Sequence, residues 1–130
     1  MATPETPAET ATRLAIERTR LAYERTLMAW IRTATALISF GFTVYKFFEF
    51  EAGKNLPAAT GRLLSPRYFA LIMIGTGLVA LLLSTIEHRR NISALKAVVG
   101  ESPRLSLAGV LAAVIAILGL LAFVATLLRG

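Results

Sequence analysis

Residues 16–36 read as three seven-residue lines: Ile16-Glu-Arg-Thr-Arg-Leu-Ala22, Tyr23-Glu-Arg-Thr-Leu-Met-Ala29 and Trp30-Ile-Arg-Thr-Ala-Thr-Ala36. Arginine recurs at 18, 25 and 32, threonine at 19, 26 and 33, and alanine at 22, 29 and 36. Seven residues is nearly two helical turns, so on one helix each set forms a row that drifts by only about 20° per step. The third line already lies inside an apolar segment. A row of arginines therefore walks from water into a membrane, and that decides both the fold class and where function is sought.

The 130-residue chain is long enough for one domain. It is 55% hydrophobic and only 17% charged, below the charge content of a soluble domain. The apolar residues collect into three blocks, expected to span the membrane at about 27–48, 68–86 and 105–128. The first block, at 1.5 Å per residue, reaches about 33 Å, enough to cross the hydrocarbon. Trp30 and Tyr45 stand near its two ends, as interfacial aromatics do. The second and third blocks carry no charge; the first holds Arg32, Thr33, Thr35, Ser39, Thr43 and Lys46.

Around these blocks, residues 1–10, with Pro4, Pro7, Glu5 and Glu9, read as a disordered tail without the basic and apolar regions of a signal peptide. A helix is expected to begin near Thr10 or Thr12. Over 11–25 it is amphipathic and basic, the pattern of a helix at the membrane surface. Residues 49–67 form a loop broken by Gly53, Pro57 and Gly61. Ser65-Pro66 and Ser102-Pro103 each read as a helix cap followed by proline in the first turn. Ile92, Leu95 and Val99 suggest a helical extension of the second span, ended by Gly100. Gly75 and Gly77, and the face made by Ala108, Gly109, Ala112, Ala113 and Ala116, are expected to let helices approach closely. The fold class is an all-α integral membrane protein: three transmembrane helices preceded by an amphipathic interfacial helix.

Cysteine and aspartate are absent and His88 is the single histidine. Catalysis and metal binding need clusters of such groups, so neither an enzyme, a metal site nor a cofactor is expected. A net charge of +6 favours anionic partners, among them lipid headgroups and phosphates; nucleic acid is not expected. Eight basic residues (Arg13, Arg18, Arg20, Arg25, Arg89, Arg90, Lys96 and Arg104) fall on the side of the amino terminus and second loop, against five (Lys46, Lys54, Arg62, Arg67 and Arg129) on the other. This bias favours a cytoplasmic amino terminus and an outside carboxyl terminus.

Continued through the first span, the row reads Arg18, Arg25, Arg32, Ser39 and Lys46, with Ala22, Ala29, Ala36 and Thr43 one helical turn away. An arginine at the bilayer centre costs about 3 kcal/mol on insertion scales. Arg32, near one end, relieves part of this by snorkelling. The other two spans offer it no carboxylate. A homo-oligomer, with this face turned to a shared axis, would give the row a reason not to face lipid and would line an anion path with Arg18, Arg25, Arg32, Ser39, Thr43 and Lys46. The plainer reading is a positive-inside flank. Arg13 to Arg25 would then pair with Glu17 and Glu24, and Arg13, Arg20, Arg89 and Arg90 would touch anionic lipid or an acidic partner. Lys46 suits an interfacial anchor, His88 an interfacial polar residue, and the hydroxyls bonds to carbonyls one turn back. An exporter driven by protons would need a carboxylate at mid-depth, whereas Glu87 lies at the interface.

Leu21-Ala-Tyr-Glu-Arg-Thr-Leu-Met-Ala-Trp-Ile-Arg-Thr33, followed by Gly41-Phe42 and Glu87-His88-Arg89-Arg90, closely resembles the YidH-like family of small bacterial inner-membrane proteins, a domain of unknown function with three spans. The similarity covers about residues 12–128. The same domain is similar to the membrane part of the vacuolar transporter chaperone complex, which makes polyphosphate and passes it through the membrane. The first resemblance implies a bacterial inner-membrane location, and the second a path for phosphate-rich anions along Arg25, Arg32 and Lys46. The polymerase and inositol-phosphate-sensing domains of that complex have no counterpart in this chain.

Overall fold

Thr6-Pro7-Ala8-Glu9 starts the first helix. In the computed structural model, which describes residues 3–54, 65–100 and 106–129, the Thr6 hydroxyl accepts from the Glu9 N–H at 3.3 Å and the Glu9 carboxylate accepts from the Thr6 N–H at 2.7 Å. This reciprocal capping box, with proline at the first helical position, opens α1 (Pro7–Ala52). The helix thus begins ahead of the expected Thr10 or Thr12, and residues 7–10 are helical. Proline at that position surrenders no hydrogen bond, because the first-turn N–H groups have no helical acceptor.

From there α1 runs 46 residues without interruption. That is about 69 Å, against about 40–45 Å for a bilayer with its headgroups. The amphipathic segment 11–25 is present as the projecting part of the same helix as the first span, joined to it without a break. α2 (Pro66–Val99) follows, with Ser65 as its cap residue and Pro66 in the first turn. It ends at Gly100, whose φ of 67° lies in the left-handed region that glycine enters without cost. The extension of the second span over 91–99 is therefore helical. α3 (Leu107–Leu128) is capped by Ser106, whose side chain accepts from the Gly109 N–H at 3.3 Å. The expected cap at Ser102-Pro103 lies outside the described residues, as do Pro57, Gly61, Arg62 and Arg104.

All three helices are long and apolar enough to cross a membrane, and no strand occurs among the described residues. The expected all-α, three-span class is borne out. Each helix touches both others, and α1 with α2 most extensively. Their seam is built from Leu27, Ile31, Ala34, Ile38, Gly41 and Tyr45 of α1 and Ala70, Ile74, Gly77, Leu81, Ser84 and His88 of α2, all buried. Both sets step by three and four residues, the spacing of one helix face. Ala108, Ala112 and Gly119 of α3 close on this seam. Arg67 Nη2 donates to the Leu127 carbonyl at 2.7 Å and ties the start of α2 to the end of α3.

Lipid is as apolar as leucine, so close packing rather than burial from water must hold these helices together. Glycine supplies it at two points between α1 and α2. A Cβ at Gly41 would lie 2.9 Å from Met73 Cβ and 3.1 Å from the Ala70 carbonyl oxygen. One at Gly77 would lie 3.0 Å from both the Ala34 carbonyl oxygen and Ile38 Cγ1. Gly75, expected to act like Gly77, does not: its nearest neighbour for a Cβ is Phe123 Cε2 at 3.8 Å, an ordinary contact. In α3, Ala108 and Ala112 pack into the seam with Ala116 against them, whereas Ala113 is exposed and Gly109 half-buried.

Two outcomes follow. Gly77→Ala should destabilise the folded protein in detergent by about 1–3 kcal/mol through overpacking against a backbone oxygen. Gly75→Ala should be neutral or stabilising, since alanine is the better helix former by about 1 kcal/mol; thermal unfolding of the two variants checks the contrast. At the amino terminus, the hydrogen bond from the Thr6 N–H holds the Glu9 carboxyl below the ordinary carboxylate range. A depressed folded-state value means the cap is intact above the unfolded value and is lost as pH falls through the depressed one. Hydrogen exchange at the Thr6 amide, corrected for its intrinsic rate, should accelerate only in that acid range and lose this pH dependence in Glu9→Ala.

Candidate functional site

The seam on α1 fixes which way every other residue of that helix points. Leu27, Ala34 and Gly41 form one seven-residue row, and Ile31, Ile38 and Tyr45 another, about 40° apart. Counting roughly 100° per residue, the arginine row lies about 140° from the middle of the seam and the alanine row about 180° from it. Arg18, Arg25, Arg32, Ser39 and Thr43 are accordingly exposed, as are Ala22, Ala29 and Ala36. The face that the sequence marks as polar is the face of α1 turned away from α2 and α3.

The row divides by local partners. Among the described residues Arg18, Arg25 and Arg32 form no ion pair. Glu24 pairs with Arg20 at 3.8 Å instead, both half-buried, and Arg13 pairs with Glu5 at 3.5 Å. Lys46 departs from the row. It is half-buried, bonds Glu49 at 2.6 Å and lies 5.6 Å from the Tyr45 ring centre. That bond lowers the Glu49 carboxyl below its ordinary range. Lys46 is thus engaged by its own helix, as an interfacial anchor is, and is not open like Arg25 and Arg32.

The hydroxyls also divide. Thr43 Oγ1 donates to the Ser39 carbonyl at 2.7 Å, and Thr19, Thr26 and Thr33 donate to carbonyls four residues back in the same way. These bonds suit threonine within a helix. They are the bonds that the plainer reading expects of the hydroxyls, and the Thr43 proton goes to the backbone. Ser39 Oγ makes no hydrogen bond among the described residues. Beside Arg25 a shallow hollow of about 400 Å³ is walled by Thr26, Ala29, Trp30 and Thr33. Trp30, expected as an interfacial aromatic, thus also shapes the surface next to the arginines.

A second cluster lies at the end of α2 and was not anticipated as a unit. His88, expected as an interfacial polar residue, is turned inward: it is 9% exposed and sits on the α2 seam with Leu81 and Ser84. Its Nδ1 is buried and has no hydrogen-bond partner. The ring lines two neighbouring cavities. One, of about 240 Å³, lies toward α1 and is bordered by Tyr23, Trp30, Glu87 and Asn91. The other, of about 530 Å³, opens toward α3 and is bordered by Arg89, Ser93, Lys96, Ser106 and Val110. The signal for His88 was its phase: Ile74, Leu81 and His88 are seven residues apart, like the rows of α1. Arg89 and Arg90 are both exposed, and Arg90 is not part of the larger cavity's lining.

The chain was compared with known proteins. No curated protein and no solved structure matches it. One family model does, over residues 18–94, a stretch that begins at the first arginine of the row, contains the whole α1–α2 seam and ends just past His88. Since that is more than half of its length, the chain belongs to the family described as a domain of unknown function, DUF202.

Proposed function

We propose that this chain assembles with copies of itself in a bacterial inner membrane, so that the outward face of α1 binds or conducts anions. The observation that carries the reading is the exposure of Arg25 and Arg32, without an ion-pair partner among the described residues, on the side of the first span that this chain's other helices leave bare. Facing lipid, that surface costs free energy; around an axis filled with water and anions its charges would stay solvated and neutralised. The alanine row at its centre would let neighbouring backbones approach. The guanidinium groups would replace water around the anion, and the Ser39 hydroxyl would donate further along. Lys46, held by Glu49, is better placed to anchor the helix end than to carry anions. The likeness of residues 21–33 to YidH-like proteins, and of the domain to the polyphosphate-exporting complex, is what suggests phosphate-rich anions as the cargo. The competing role, a scaffold that binds anionic lipid or an acidic partner, rests on the basic residues that project beyond the spans.

Reconstituted full-length protein should give saturable flux of phosphate or short polyphosphate that falls at least about tenfold in Arg32→Ala and is largely kept in Arg32→Lys, because the charge is what a basic ring supplies. In the same membranes Ala29→Cys should cross-link between copies under oxidant, while Leu120→Cys on the exposed side of α3 should not. Negligible flux in every variant together with no cross-linking would favour the scaffold.

The proposed orientation has its own test, helped by the absence of native cysteine. Single cysteines at Ala11 and Ala97 should react with an impermeant maleimide from the cytoplasmic side, and one at Lys54 from the outside. The opposite pattern would invert the topology.

A further inference from the structure

The cavity between α2 and α3 has a polar rim and an apolar floor. Its rim carries Arg89, Ser93 and Lys96 from the extended end of α2, and Ser106 from the cap of α3. Its floor is Leu27, Val110 and Ala113. Three features act in the same sense. Among the described residues, Arg89 and Lys96 have no ion-pair partner and no carboxylate lines the cavity. The amino end of the 22-residue α3 opens beside it, where unpaired N–H groups and the helix dipole favour negative charge. His88, nine-tenths buried, lines it with an imidazole whose Nδ1 has no partner. A buried polar atom left unbonded costs about 1–3 kcal/mol, which a hydrogen-bonding ligand or water in the crevice would relieve.

We propose that this crevice is a discrete site for one phosphate group. Arg89, Lys96 and the start of α3 would hold the phosphate oxygens and His88 would complete the set from below. The site does not depend on the assembly proposed above, since one chain supplies every residue of it. Its level argues for an amphiphile: Glu87 marks the end of the uncharged segment of α2, so the rim stands at the headgroups while the floor faces the acyl region. Basic pockets between helices at this depth suit phosphate headgroups. A free phosphate ester shares the recognition chemistry and is separated from a lipid by experiment.

The test is lipid retention by the purified full-length protein. Incorporated into nanodiscs of phosphatidylcholine doped with phosphatidylglycerol, then released and weighed by native mass spectrometry, the protein should keep one anionic lipid per chain. Arg89→Gln and Lys96→Gln should each weaken retention at least about tenfold, the value of one charge-assisted hydrogen bond. Arg90→Gln, one residue on and outside the crevice, should change it little, and all three side chains are solvent-accessible enough for the fold to tolerate the change. His88→Gln, checked by thermal unfolding, should weaken it as well. In undoped nanodiscs, saturable binding of inorganic phosphate that is lost in the same variants would assign the free anion to the same site. Equal losses for Arg89→Gln and Arg90→Gln would mean diffuse attraction to the surface and would overturn the proposal, as would one-to-one retention unaffected by any of these changes.

Discussion

The contact on which the rest depends is the close crossing of α1 and α2, where Gly77 lies against the Ala34 carbonyl and Gly41 against Ala70 and Met73. It holds two long helices together in a solvent that gives apolar side chains no reason to leave it. It also sets the rotation of α1. Once Leu27, Ala34 and Gly41 face α2, the arginines have nowhere to go but outward, and His88 nowhere but inward. One packing event thus produces both candidate sites, an exposed basic face on one side of the molecule and a buried imidazole on the other.

The two sites answer the cost of charge in a membrane differently. Arg32 stands close enough to an end of the span to reach for water, and its surface is open. His88 is enclosed by its own chain and borders two cavities. Neither arrangement is dictated by hydropathy. Both follow from a seven-residue phase that α1 and α2 share: Leu27, Ala34 and Gly41 on one helix, Ile74, Leu81 and His88 on the other.

That phase explains what could be read in the sequence. The repeat in residues 16–36 made the outward row legible, and the same count, begun at Leu27 instead of Arg25, gives the seam. The three apolar blocks gave the helix number because a span has a minimum length. Features that depend on a single contact were harder. Pro7 reads as a breaker until Glu9 is seen to complete the box with Thr6. Gly75 and Gly77 are equivalent as letters and differ only in which neighbour they meet. His88 stands at the end of an apolar run, where most polar residues face water, and its register with Leu81 is what turns it inward. Lys46 fits the row by spacing, yet Glu49, three residues on, engages it.

The unbroken course of α1 constrains the way this chain can vary in length. Its projecting part and its membrane part are one rod, so their angular setting is set by residue count alone. One residue inserted between Arg25 and Arg32 would turn everything before it by about 100° and carry Ile16, Arg20 and Tyr23 off the line of the seam. Seven residues inserted there would turn it by only about 20°. Between these arginines a heptad is therefore a far gentler change of length than a single residue, and heptads are the form the sequence already takes in its three successive lines from Ile16 to Ala36.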